Sequence, residues 1–92
     1  MGEIGEIAEI LARIDDPVLI EQLLEGLLSP RESKDLAGRW ELVKRLEQGQ
    51  SQRQIAGDLG MSLCKITRGS RELKKPGSAL KKIVREELDA GR

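Results

Sequence analysis

Apolar positions recur along this chain at helical rather than strand spacing. Ile4, Ile7, Ala8, Leu11 and Ile14 follow the i, i+3, i+4, i+7 rule and predict a first amphipathic helix ending near Asp15-Asp16. Pro17 stands where a first helical turn tolerates proline. Leu19, Ile20, Leu23, Leu24, Leu27 and Leu28 then lay one broad apolar stripe along a second segment, Val18 to Leu28. Ser29-Pro30-Arg31-Glu32 has the form of a capping box, with Ser29 placed to accept a backbone N–H and Glu32 to reach back. A third, longer helix starts there, carries Leu36, Trp40, Val43 and Leu46 at helical spacing, and stops at Gly49. Ser51-Gln52-Arg53-Gln54 repeats the box and opens a short fourth helix that Gly60 ends. Ser62 caps a fifth. Pro76-Gly77-Ser78 breaks it and starts a sixth, with Leu80, Ile83, Val84 and Leu88 expected to face inward. With no strand pattern and no internal repeat, the expected class is all-α.

Ninety-two residues make one domain, 1–92, of a size that leaves much of its surface wet. There is no Phe or Tyr, and Trp40 is the only aromatic residue, so aliphatic side chains supply nearly all the core. Trp40 falls on the apolar stripe of its helix and is assigned to that core. The second segment is too apolar to stand alone, and the rest of one subunit offers little to cover it. Burial between two copies at roughly 25 cal/mol per Å² then becomes the main source of stability, and no stable folded monomer is expected. No run of 18 apolar residues exists, and Glu3, Glu6 and Glu9 stand where a secretory signal carries positive charge. The expectation is a cytoplasmic protein with no membrane partner. One cysteine and no histidine exclude an intrachain disulfide and a His/Cys metal site. The same shortage, with no glycine-rich phosphate loop, leaves no nucleophile and base to pair, so no enzyme, no catalytic residue and no cofactor are expected.

Formal net charge is zero, but the charge is unevenly placed. Residues 1–28 hold seven acids against Arg13 alone, whereas residues 51–85 hold nine bases against Asp58 and Glu72. Attraction to phosphate would come from the second stretch.

That stretch also carries the spacing of a helix-turn-helix, roughly 52–71. Two short helices cross at the required angle only if certain positions are small, apolar or glycine. Ile55, Leu59, Met61 and Ile66 are apolar, Ala56 is small at the crossing, and Gly60 permits a left-handed turn. The second helix presents Ser62, Leu63, Cys64, Lys65, Thr67 and Arg68 at the end where recognition helices meet base edges. Leu63 and Cys64 suit thymine methyls, and Lys65 and Thr67 suit phosphates or bases. Arg53 suits guanine or a phosphate. Lys74 adds a further cation to this set of DNA-binding candidates. With no second thiol, Cys64 otherwise reads as a small filler rather than a redox group.

These residues have a familiar order. Leu28-Ser29-Pro30-Arg31-Glu32, Arg39, Gln48-Gly49, Ser51-Gln52-Arg53, Leu59-Gly60 and above all Ile66-Thr67-Arg68-Gly69-Ser70, followed by Leu73-Lys74, resemble the tryptophan repressor family over about two thirds of the chain. The resemblance implies a six-helix intertwined homodimer whose two reading heads fit successive major grooves of palindromic, double-stranded operator DNA, with L-tryptophan or a related amino acid as corepressor. Its expected divisions are residues 1–50 for the dimerisation core, 51–75 for the head and 76–92 for a C-terminal dimerisation helix. The resemblance places the ligand's indole between Arg39 and Arg68 and its amino group against backbone carbonyls of Gly26, Leu28 and Ser29. Gly69 fits a pocket physically, because glycine within a helix costs roughly 0.5–1 kcal/mol relative to alanine and its missing side chain leaves a slot. Several features depart from the family: Glu72 stands where a small hydroxyl residue lies beside the ligand's amino group, Gly26 replaces a bulky apolar residue, Trp40 directly follows the first pocket arginine, and the loop before Ser51 is one residue shorter than usual. A ligand-independent DNA binder, with Glu72 or Trp40 replacing ligand contacts, and a helical protein-interaction module are the alternatives.

Overall fold

The computed structural model describes residues 2–91, which form six α-helices and, among those residues, no strand. They are α1 (Gly5–Arg13), α2 (Pro17–Leu27), α3 (Pro30–Glu47), α4 (Gln52–Leu59), α5 (Leu63–Lys74) and α6 (Ala79–Ala90). Most start where a short polar side chain takes up a backbone donor that the helix leaves orphaned. The Asp16 carboxylate accepts from the Val18 amide at 3.0 Å, with Pro17 in the first turn. Ser29 and Glu32 form both halves of the capping box, at 3.1 and 2.8 Å. Ser51, Ser62 and Ser78 accept from the amides of Gln54, Lys65 and Lys81 at 3.1, 3.4 and 3.1 Å.

The chain divides into two compact units, one running to Lys34 and the other from Asp35 onward. The first holds α1, α2 and the opening turn of α3. Its apolar residues are incompletely covered: Ile20, Leu23, Leu24 and Leu28 are half-buried, while Ile4, Ile7, Val18, Leu19 and Leu27 are exposed.

The second unit holds two adjoining clusters of buried residues, both built on α3. Leu42 meets Ile55 of α4 and Ile66 of α5, with Leu46, Ala56, Leu59 and Met61 packed around them. One position along, Val43 meets Leu73 of α5 and Val84 of α6, with Trp40, Leu46, Leu80 and Leu88 around them. Consecutive residues of a helix point about 100° apart, so Leu42 and Val43 let α3 serve two neighbours at once. One expectation fails here. Ile83 is 54% exposed, because the stripe that α6 buries runs through Leu80, Val84 and Leu88, and Ile83 lies roughly 100° around the helix from Val84.

Candidate ligand cavity and DNA-reading surface

The α4–turn–α5 segment has the backbone a helix-turn-helix needs. Gly60 takes φ 63° and ψ 35°, a left-handed conformation in which a Cβ is strained. The Met61 amide then bonds to the Ala56 carbonyl at 3.2 Å, closing the end of α4. Ile55 and Ile66, both fully buried, fix the two helices on Leu42. Two further ties were not legible in the spacing. The Thr67 hydroxyl donates to the Gln52 side-chain carbonyl at 3.4 Å, joining α5 to α4. On the other side, Arg45 of α3 reaches Asp58 of α4 at 3.3 Å and Glu41 at 2.9 Å, and Gln50 donates to the same Asp58 at 3.2 Å. Gly38 also has a steric role the sequence did not announce: a Cβ there would sit 2.7 Å from Met61 Cε, so its absence makes room for the turn's side chain.

Of the sequence-predicted DNA-binding set, Arg53, Ser62, Leu63, Cys64, Lys65, Arg68 and Lys74 are exposed, and Leu63 is a large apolar side chain left 54% open. Thr67 is half-buried and engaged with Gln52. Ser62 already uses its hydroxyl as a cap. The first nine residues of α5 contain three bases and no acid, and Asp58, the acid of α4, is paired with Arg45. This end of α5 is therefore exposed and cationic.

Behind the same helix lies a cavity of about 280 Å³ lined by Leu36, Arg39, Trp40, Leu42 and Val43 of α3, Lys65, Arg68, Gly69 and Glu72 of α5, and Leu80 from the start of α6. The α5 residues, and those of α3 other than Leu42, follow the spacing of a single face. Gly69 is where α5 approaches α3 closely: a Cβ there would stand 3.2 Å from Leu42 Cδ2, 3.5 Å from Leu42 Cγ and 3.6 Å from Val43 Cγ1. The structure thus brings Arg39, Arg68, Gly69 and Glu72 together around one apolar cavity with a charged rim. Gly26, Leu28 and Ser29 belong to the other unit, at the end of α2 and before α3. Trp40 corrects the assignment made from periodicity. It packs on the α3–α5–α6 cluster as expected of a core residue, yet it also lines the cavity, because a half-buried indole is large enough to do both. Lys65, Leu36 and Leu80 are lining residues that sequence reasoning did not single out as such. Glu72 is not unpartnered: Lys75 Nζ lies 2.9 Å from its Oε1.

Among the described residues, no cluster of His, Cys, Asp or Glu could hold a metal, and no helix is long and apolar enough to cross a membrane. At 280 Å³ the cavity sits near the lower edge of small-molecule sites, roughly 300–1,000 Å³.

A family model described as Trp repressor protein matches residues 3–88. A Trp operon repressor homolog of Vibrio campbellii is 36% identical over 87 residues, covering 94% of this chain and 87% of the relative. One from Chlamydia trachomatis is 31% identical, with 86% and 85% covered. One from Vibrio cholerae reaches 49% identity over a shorter stretch of 55 residues, 59% of this chain and 53% of the relative. No solved structure matches significantly.

Proposed function

The chain belongs to the Trp repressor protein family, whose members are transcriptional regulators rather than enzymes, and from that premise we propose that it represses transcription by binding operator DNA as a homodimer under control of L-tryptophan or a related amino acid. The observation that carries this reading is that one helix, α5, serves both surfaces: its N-terminal end is exposed and cationic, and its adjoining face lines the cavity.

In this reading the start of α5 enters the major groove, where Leu63 and Cys64 meet thymine methyls and Lys65, Thr67 and Arg68 meet bases or phosphates. Arg53 and Lys74 hold the backbone on either side. An indole lies in the cavity between Arg39 and Arg68, beside Gly69, while the carboxylate pairs with a guanidinium. A ligand touching α3 and α5 together changes DNA affinity only by the difference in its own affinity for the two head positions. The second copy covers the large aliphatic side chains of α1 and α2 that one chain leaves exposed. Two heads related by a two-fold axis then address half-sites about one DNA turn apart, roughly 34–36 Å.

Trp40 favours a second reading, because its indole already lines the cavity. A chain whose own aromatic side chain holds the head would bind DNA without an effector. One experiment separates the readings. A pool of random palindromic duplexes is selected with and without L-tryptophan, and the affinity of the winners is followed against salt. The proposal expects ligand-enhanced binding whose affinity falls steeply as salt rises. Equal affinity with and without ligand supports the second reading. No binding, or binding indifferent to salt, sinks both and returns the chain to a protein-interaction role. Sedimentation at micromolar concentration checks the dimer, which a monomer with a full helical spectrum would exclude.

A further inference from the structure

We propose that in this chain Glu72 is the acceptor for the effector's ammonium group and that Lys75 is the cation this ammonium displaces, so that the cavity selects zwitterionic amino acids over acids of the same shape. The inference rests on the reading of the cavity as the effector site and goes beyond it to the rule by which that site chooses.

The charged groups around the cavity are unequal. A ligand carboxylate finds three cations there, Arg39, Lys65 and Arg68. An ammonium finds one acid among the lining residues, Glu72. Arg68 and Glu72 are four residues apart on α5, hence one above the other on the same face and one turn apart. A zwitterionic headgroup laid along α5 therefore meets cation and anion in the order its own charges require. The remaining lining, from Leu36, Trp40, Leu42, Val43 and Leu80, is apolar and suits the side chain.

In the unliganded chain the Glu72 carboxylate is held by Lys75 at 2.9 Å. Lys75 closes the C-terminal end of α5 and does not line the cavity. Its side chain is 63% exposed and that of Glu72 is 45% exposed. An ion pair this wet contributes little and is readily exchanged. A ligand ammonium drawn from water into a partly enclosed apolar site makes the stronger bond with the same carboxylate. Lys75 thus keeps Glu72 from standing as an uncompensated charge beside the cavity and yields to the effector. A ligand with a carboxylate but no ammonium gains nothing from Glu72 and is repelled by it.

The test is calorimetric titration of the full-length protein with L-tryptophan and with indole-3-propionate, which keeps the indole and carboxylate but lacks the ammonium. Wild type should prefer tryptophan by roughly tenfold or more, the range of a charge-assisted hydrogen bond. Glu72→Gln should weaken tryptophan by about that factor and leave indole-3-propionate equal or tighter. Lys75→Ala should tighten tryptophan and not its analogue. A folded Glu72→Gln protein that keeps the preference, or a wild type that binds the two ligands alike, overturns the inference while leaving the effector reading intact. Binding of neither ligand overturns both.

Discussion

Gly69→Ala separates the stability of the reading head from the capacity of its cavity. Three effects bear on stability. Alanine is favoured over glycine within a helix by roughly 0.5–1 kcal/mol. The new methyl would make ordinary contacts with Leu42 Cγ at 3.5 Å and Val43 Cγ1 at 3.6 Å, and burying it adds about 0.8 kcal/mol. Against these stands the 3.2 Å approach to Leu42 Cδ2, a few tenths of an ångström too close. Leu42 is only 2% exposed and packed against Ile55 and Ile66, so it yields by disturbing the core or by pushing α5 outward, at about 1–3 kcal/mol. The opposing effects nearly cancel, and the variant should unfold in urea within about 1.5 kcal/mol of wild type. Ligand binding has no such cancellation. On the proposed placement, the methyl narrows the cavity where Gly69 lines it, and an indole held there would shift away from Arg39 and Arg68. Tryptophan affinity by calorimetry should fall at least about tenfold, equivalent to 1.4 kcal/mol, while ligand-free DNA binding stays close to wild type. A folded Gly69→Ala protein with undiminished tryptophan affinity would refute the placement of the ligand against α5, and a loss of stability above about 3 kcal/mol would refute the packing argument.

Gly60→Ala meets no neighbour within 4 Å, so its effect is conformational alone: at φ 63° it should cost about 1–2 kcal/mol, with Gly60→Asn recovering part, and an unchanged urea midpoint for Gly60→Ala would show that the turn is not left-handed in solution. Hydrogen bonds from Arg45 and then Lys44 hold the Glu41 carboxyl below its ordinary 4.5. A group lowered on folding contributes stability that is fully present above the unfolded value and disappears as pH falls through the folded one. Wild type should therefore lose stability as pH drops below about 4.5, and Glu41→Gln should flatten that slope slightly, since a side chain 39% exposed is well screened. Parallel acid titrations of the two proteins would dismiss the carboxylate's role.

The six helices were readable because each boundary is written in local chemistry. Ser29, Ser51, Ser62 and Ser78 act on amides within three residues of themselves, and Gly60 needs only its own backbone. The cavity was half readable. Arg39, Arg68, Gly69 and Glu72 were named through a resemblance, whereas Leu36, Lys65 and Leu80 required knowing that α3, α5 and α6 meet. Periodicity gives the angle of a residue around its helix but not where the neighbour's edge falls. Ile83 fell beyond that edge and Trp40 lay on it, so one was expected buried and the other expected to be core alone.

Long-range polar ties were invisible for a related reason. Arg45 and Asp58 are 13 residues apart, Gln52 and Thr67 are 15 apart, and no helical period links either pair. Yet these pairs connect α3 to α4 and α4 to α5, beside the shared core of Leu42, Ile55 and Ile66. The head is thus fastened along the α4 side by side chains that fill the space between helices, and along the α3 side by the close approach that Gly69 allows beside the cavity. In α5 one face is committed to the core through Ile66, Ser70 and Leu73, the next to the cavity through Lys65, Arg68, Gly69 and Glu72, and Leu63, Cys64, Arg71 and Lys74 remain exposed. A rigid helix divided in this way cannot have its cavity face displaced without moving its exposed face, and the well-packed side chains of the core make that movement one between discrete positions rather than a gradual yielding.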